Sequence, residues 1–303
     1  MGSVEGLVAV VTGGGRGIGR EHALLLAREG AQVVVNDLGG RGDGTGAEHS
    51  PAQDVVGEIT ADGGEAVANY DDVADEAGAK NIIAAGVDAF GKVDIVINNA
   101  GVLRDRMLVN LEPDDFDVVV RVNLRGTYLM MRAAAGHWRE RTKAGEELRA
   151  AVVNTASESG LFANVGQTNY GAAKTGVATM TQIAAKELKR YGVRVNAIAP
   201  RARTRLTEDL LGERAQAKPG SFDYWHPANV APYVVYLASP LCPLSGQTFV
   251  VGGGQMLRIK PFEVDEDWSL DAGGPWTVEE LARAVEDLPA PAPIRMPVAI
   301  SSP

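Results

Sequence analysis

Cysteine is almost absent: Cys242 is the only one in 303 residues. One thiol forms no intrachain disulfide and no thiolate-rich metal site, so it reads as a small buried apolar residue and no metal is expected. A basic excess is also missing, with 29 Lys and Arg against 39 Asp and Glu, a net charge of -10 and a pI near 5.0. That balance argues against nucleic acid and anionic membrane surfaces as main partners. No apolar run approaches the roughly 18 residues of a membrane span, and none follows a basic segment near Met1, so a cytoplasmic protein is expected. What is present is 45% hydrophobic residues and 36 glycines, the make-up of one large α/β domain with appendages.

Leu7 to Val11 is a β-branched run that breaks into Thr12, Gly13, Gly14, Gly15, Arg16, Gly17, Ile18 and Gly19, then into the helical pattern Ala23 to Ala27. In a strand, glycine turn and helix, the glycines let the backbone approach a pyrophosphate, and the positive end of the helix dipole faces that anion. Gly13, Arg16, Gly17, Ile18 and Gly19 are therefore candidate cofactor contacts. Arg16 is expected to be solvated or to meet parts of the cofactor other than a ribose phosphate. A second strand, Ala31 to Val35, ends at Asn36 and Asp37. A carboxylate there accepts the hydrogen bonds of a ribose diol and repels a 2′-phosphate, so the cofactor reads as NAD rather than NADP.

Residues 39 to 51 are too rich in glycine and polar groups to pack and read as a long exposed loop without chemistry. A strand from Glu65 to Tyr70 ends at Asp71, Asp72 and Val73, where Asp72 is the better candidate for an adenine amino group. Ala79, Ile82, Ile83, Gly86, Val87 and Phe90 form the stripe of a helix packed on a sheet. The strand Val93 to Ile97 runs into Asn98, Asn99, Ala100 and Gly101, small enough to leave room for a ribose. Asn98 reads as cofactor-lining and Asn99 as structural.

Helices are expected over 113–121 and 123–139, followed by a solvated charged connection from Arg139 to Glu147. A fifth strand, Ala151 to Thr155, delivers Ser157, thirteen positions before Tyr170. Tyr170 and Lys174 stand four apart, so on a helix they share a face. A cationic neighbour favours the phenolate and lowers a tyrosine pKa from about 10, which makes Tyr170 a candidate general acid or base. A serine hydroxyl beside that phenol can hydrogen-bond a substrate carbonyl as charge develops on it. Asn123 lies among Val119, Val122 and Leu124, where an unbonded amide is costly; it either caps a break in the helix or holds a water behind Lys174.

Tyr191 to Ile198 is a further strand, closed by Ala199 and Pro200. A substrate lid is expected over about 201–226, a helix from Pro227 through Leu237, and a last strand from Ser245 to Val251. Residues 1–260 read as the dinucleotide-binding domain. Residues 261–303 read as a partly ordered extension with a short helix at Val278 to Val285.

Jointly, the glycine turn, Asp37, the run Asn98 to Gly101, Asn123, Ser157, Tyr170 and Lys174 resemble the short-chain dehydrogenase/reductase family, over about Leu7 to Gly254. The resemblance implies a single Rossmann-type doubly wound parallel sheet of about seven strands with helices on both faces. It further implies NAD across the strand C-termini and a dimer or tetramer. By the same resemblance Tyr170 is the catalytic acid/base, Lys174 lowers its pKa and holds the nicotinamide ribose, and Ser157 positions the carbonyl or carbinol. Asn123 would support a water relay to Lys174, and Thr204, after Pro200, would meet the nicotinamide carboxamide. Val35 to Gly40, Ala68 to Asp71, Gly101 to Arg106 and Leu124 to Thr127 are similar to the (3R)-hydroxyacyl-CoA dehydrogenase unit of the peroxisomal multifunctional enzyme and to stand-alone actinobacterial relatives. That likeness implies a hydrophobic secondary alcohol or ketone as substrate, a CoA-linked hydroxyacyl group or a hydroxysteroid. Arg201 departs from the family, where glycine usually follows the proline. The alternatives are a dinucleotide-binding regulator without turnover, opposed by the intact Ser157, Tyr170 and Lys174 set, and an enoyl reductase, opposed by the four-residue spacing.

Overall fold

β-branched runs bounded by glycine or polar breaks become the strands β1 (Val8–Thr12), β2 (Gln32–Asn36), β3 (Ala66–Asn69), β4 (Ile95–Asn98), β5 (Ala150–Thr155), β6 (Val193–Pro200) and β7 (Thr248–Gly252). The computed structural model describes residues 2–46, 49–204, 221–260 and 262–289. These seven strands pair in parallel, and an eighth, β8 (Gln255–Ile259), pairs antiparallel to β7, giving the order β3-β2-β1-β4-β5-β6-β7-β8. The sequence reading of about seven strands lacked β8. It follows β7 through Gly253 and Gly254, whose φ values of 51° and 86° suit the two-residue hairpin turn that needs positive φ at both central positions.

Alternation along each strand divides the core between the two faces of the sheet. Val11, Val35, Ile97, Val153 and Phe249 pack with the helices α1 (Gly17–Arg28) and α2 (Ser50–Ala61). Val10, Val34, Val96, Val152 and Val195 pack with α3 (Glu76–Phe90) and, after α4 (Pro113–Val120), with α5 (Thr127–Lys143). The stripe of Ala79, Ile82 and Ile83 is buried on α3. Cys242 is buried and unpaired.

Between α4 and α5 the chain stays helical, as a π-helical segment from Arg121 to Gly126. The α-helix thus breaks into a wider turn around Asn123, whose Nδ2 donates to the Val119 carbonyl four residues back at 3.0 Å. The connection read as solvated from Arg139 begins as the last turn of α5, and Arg141 there is half-buried, 2.9 Å from Asp94 and 2.9 Å from Glu146.

After β5 come the one-turn helix α6 (Glu158–Leu161), the long α7 (Thr168–Leu188) and, after β6, α8 (Ala231–Ala238), which joins the α1 layer. The strand order reverses between β1 and β4, and in doubly wound sheets ligands bind in the crevice at that reversal, beyond the strand C-termini. Met1–Ile259 forms one compact unit and Lys260–Pro303 another. The second carries α9 (Val278–Glu286), opened by a capping box in which Thr277 Oγ1 accepts from the Glu280 backbone N–H and Glu280 accepts in return from that of Thr277. Among the described residues no helix is long and apolar enough to cross a membrane.

Candidate active site

A cavity of about 330 Å³ opens at the C-terminal ends of β1, β4, β5 and β6. Its floor is the glycine turn. A Cβ on Gly19 would fall 2.0 Å from the Gly13 carbonyl oxygen, so α1 can start this close to β1 only with glycine there. The turn is fastened by Asn99, whose Nδ2 donates to the carbonyls of Thr12 (3.1 Å) and Gly13 (3.0 Å). No side chain caps the start of α1, which leaves its first backbone N–H groups and dipole for an anion.

Asp37 is held by two backbone donors: Gly15 N–H meets one carboxylate oxygen at 2.8 Å and Gly39 N–H the other at 2.7 Å. Asp72 lines the same cavity and accepts from Ala74 N–H (2.8 Å) and the Arg121 guanidinium (2.6 Å). An uncapped helix start, a backbone approach that a Cβ would block and an oriented carboxylate are the features a dinucleotide needs.

Ser157, Tyr170 and Lys174 line the other end of this cavity. The Ser157 Oγ accepts from Ser159 N–H at 3.2 Å and so caps α6. Tyr170 lies in the first turn of α7 and keeps part of its surface open to the cavity; Lys174 follows one turn later, buried. Lys174 Nζ donates to the Thr155 carbonyl at 2.7 Å and stands 5.5 Å from the centre of the Tyr170 ring.

Burial, the largest effect on both groups, pushes the phenol up to about 12 and Lys174 down to about 7. A hydrogen bond with Ser157 pulls the phenol down, and the charge of Asp105 pushes it up further. Lowered to about 7, Lys174 is only partly charged near neutral pH, which weakens the cationic support expected for a Tyr170 phenolate.

Asn123 stands behind this pair. Its Nδ2 donates to the carbonyls of Val102 (2.9 Å) and Val119 (3.0 Å), while its Oδ1 is buried without a protein partner. A Cβ on Gly101 would lie 2.5 Å from that oxygen and 3.8 Å from Lys174 Nζ, so all three border one small space.

Of the other residues expected at the cofactor, Gly13, Arg16, Gly17, Ile18, Val73, Ala100, Gly101, Pro200 and Thr204 line the cavity. Gly19 lies beneath it. Asn98, expected to line the cofactor, instead points into the sheet, where its amide donates to Asn154 Oδ1 at 2.8 Å, while its neighbour Asn99 reaches the wall.

The glycine-rich loop is exposed as expected at Arg41 and from Asp43 to Gly46, and it also borders the site. Gly40, Arg41, Gly42 and Gly44 line the cavity, held by Leu103 N–H donating to the Gly42 carbonyl (2.9 Å) and Arg104 Nε to that of Asp43 (2.9 Å). Gln167 was also missed. It is buried at the cavity wall, donates to Asp105 (2.7 Å) and accepts from Asn164 (2.9 Å). Its place three residues before Tyr170 was the available signal. The expected lid falls largely on 205–220, outside the described residues.

Comparison with known proteins agrees with this geometry. The short chain dehydrogenase family model matches residues 7–211. A hydroxyacyl-CoA dehydrogenase of Mycobacterium tuberculosis is 42% identical over 288 residues, covering 94% of this chain and 89% of its own. The peroxisomal multifunctional enzyme type 2 of Mus musculus is 40% identical over 256 residues, 84% of this chain but 33% of that longer protein. The crystal structure of a short chain dehydrogenase from Mycobacterium avium superposes with a TM-score of 0.86 at 44% identity, covering 98% of this chain and 100% of the other.

Proposed function

The chain belongs to the short-chain dehydrogenase family of oxidoreductases, and from that premise we propose that it interconverts a secondary alcohol and its ketone with NAD, 3-hydroxyacyl-CoA being the substrate class. One observation carries the reading: Ser157, Tyr170 and Lys174 share a single cavity with the glycine turn and Asp37. The hydroxyacyl-CoA dehydrogenase relative supports the substrate class. Asp37 supports NAD, since both its oxygens are aimed by backbone N–H groups and its charge opposes a 2′-phosphate.

In this reading Gly13, Arg16, Gly17 and Ile18 hold the pyrophosphate, Asp37 the adenosine ribose, and Asp72 with Val73 the adenine. Ala100, Gly101, Pro200 and Thr204 hold the nicotinamide half. When bound, NAD accepts the substrate hydride and brings a positively charged ring to the site.

Tyr170, as phenolate, removes the hydroxyl proton in oxidation and returns it in reduction. Ser157 donates to the substrate oxygen and supports the charge that develops there. Lys174, tethered to the Thr155 carbonyl, keeps its amine beside the phenol. The unpaired Asn123 Oδ1 supports a water relay to that amine. The family resemblance supports a dimer or tetramer, and an acidic chain with one buried cysteine supports a cytoplasmic setting.

The test follows NADH formation with 3-hydroxyacyl-CoA, hydroxysteroid and simple secondary alcohol panels side by side. The highest kcat/KM is expected for a 3-hydroxyacyl-CoA. A steroid or simple alcohol in first place removes the substrate class, and no turnover of any panel removes the enzyme.

A further inference from the structure

Arg201 stands after Pro200 where the family resemblance calls for glycine, and none of the steps above uses it. Its backbone N–H donates to the Val251 carbonyl at 2.8 Å, which fixes the residue to β7. Its guanidinium meets Glu158 through two bonds, Nε to Oε2 at 2.7 Å and Nη2 to Oε1 at 2.5 Å, with side-chain exposures of 8% and 13%. Glu158 directly follows Ser157 and is the first residue of α6, a helix of four residues. A single turn has little rigidity of its own. The only side-chain bond from Ser157 to that turn is the one to Ser159 N–H.

On the reading of the site given above, we infer that the Arg201–Glu158 pair is a positioning device for Ser157, clamping α6 from the sheet so that the serine hydroxyl stays against Tyr170. A planar guanidinium bonded twice to a carboxylate sets angle as well as distance, which a lysine does not. A buried ion pair adds little net stability compared with apolar residues in its place, so orientation is the better reason for its presence.

The test is a set of kcat and KM measurements in two backgrounds. Arg201→Lys and Glu158→Gln in the wild-type background are each expected to lower kcat by up to about 10²-fold with KM nearly unchanged. In a Ser157→Ala background the same changes are expected to cost nothing further, because residues acting as one unit are not additive. Unchanged kcat in the first background, or an equal further loss in the second, overturns the proposal. Should either single change unfold the chain, the double variant Arg201→Met with Glu158→Gln leaves no unpaired buried charge. It is expected to recover Tm and keep the low kcat, and recovery of both overturns the proposal. Rates are read on whichever secondary alcohol the wild type turns over fastest. A wild type inactive on 3-hydroxyacyl-CoA thus counts against the substrate class alone and leaves the clamp testable.

Discussion

Tyr170 and Lys174 are displaced in opposite directions by the same cause, burial, the phenol up to about 12 and the amine down to about 7. Between those values both are uncharged, which spares the site two isolated charges in a poorly solvated place. Ser157 is the neighbour that pulls the phenol back toward a useful pH. Alcohol oxidation is therefore expected to rise with pH, and Ser157→Ala to move that rise to higher pH as well as lowering kcat. A profile measured for both proteins that shows no displacement, or a displacement to lower pH, contradicts this. Asp37 gives a second prediction for a single residue. Asp37→Ala removes hydrogen bonds to a charged group, worth about 1.5 kcal/mol or more, and with them the repulsion of a 2′-phosphate. The ratio of kcat/KM for NAD over NADP is expected to fall by about tenfold, since 1.4 kcal/mol is a factor of ten. An unchanged ratio would show that cofactor choice lies elsewhere.

Among the elements, the glycine turn is the least tolerant of change. Gly19→Ala places a methyl group 2.0 Å from the Gly13 carbonyl, so α1 must move off β1. Overpacking of this kind costs about 1–3 kcal/mol, and the displaced helix start is also the proposed anion site. A lower Tm together with weaker NAD binding by calorimetry is expected; an unchanged Kd would detach the turn from the cofactor. This element was legible in the sequence because its signal is local: β-branched run, glycines, helical stripe. Other parts were not, for reasons that can be named. The role of Asn98 was misplaced because side chains alternate along a strand, and a shift of one residue exchanges wall for sheet interior. The π-helical segment Arg121–Gly126 has no composition of its own, so Asn123 read as a break or a relay, and only the fold carried it behind Gly101. The place of the Gly40 to Gly44 loop at the cavity was not legible because its hold comes from residues some sixty positions away, the Leu103 backbone N–H and the Arg104 side chain. β8 lay hidden behind three consecutive glycines, which read as an end and served as a hairpin.

At the scale of the whole molecule, stability is tied to pH through a group remote from the proposed chemistry. His22 on α1 is fully buried with no partner for either ring nitrogen, and burial pushes its pKa down to about 3. The unfolded chain takes up a proton there near pH 6.5 while the folded chain resists until about pH 3. The contribution is thus complete above pH 6.5 and is lost as the pH falls across that window, at up to about 1.4 kcal/mol per pH unit. His22→Leu is expected to flatten that part of a Tm against pH curve, and identical slopes would assign the acid sensitivity to other groups. The account as a whole, a dehydrogenase in which one phenol moves the proton, meets its most direct test in Tyr170→Phe. NAD affinity by calorimetry should be nearly unchanged, while kcat with the best secondary alcohol should fall by about 10²- to 10⁴-fold, the usual worth of a positioned acid or base. A variant that turns over at close to the wild-type rate would contradict it.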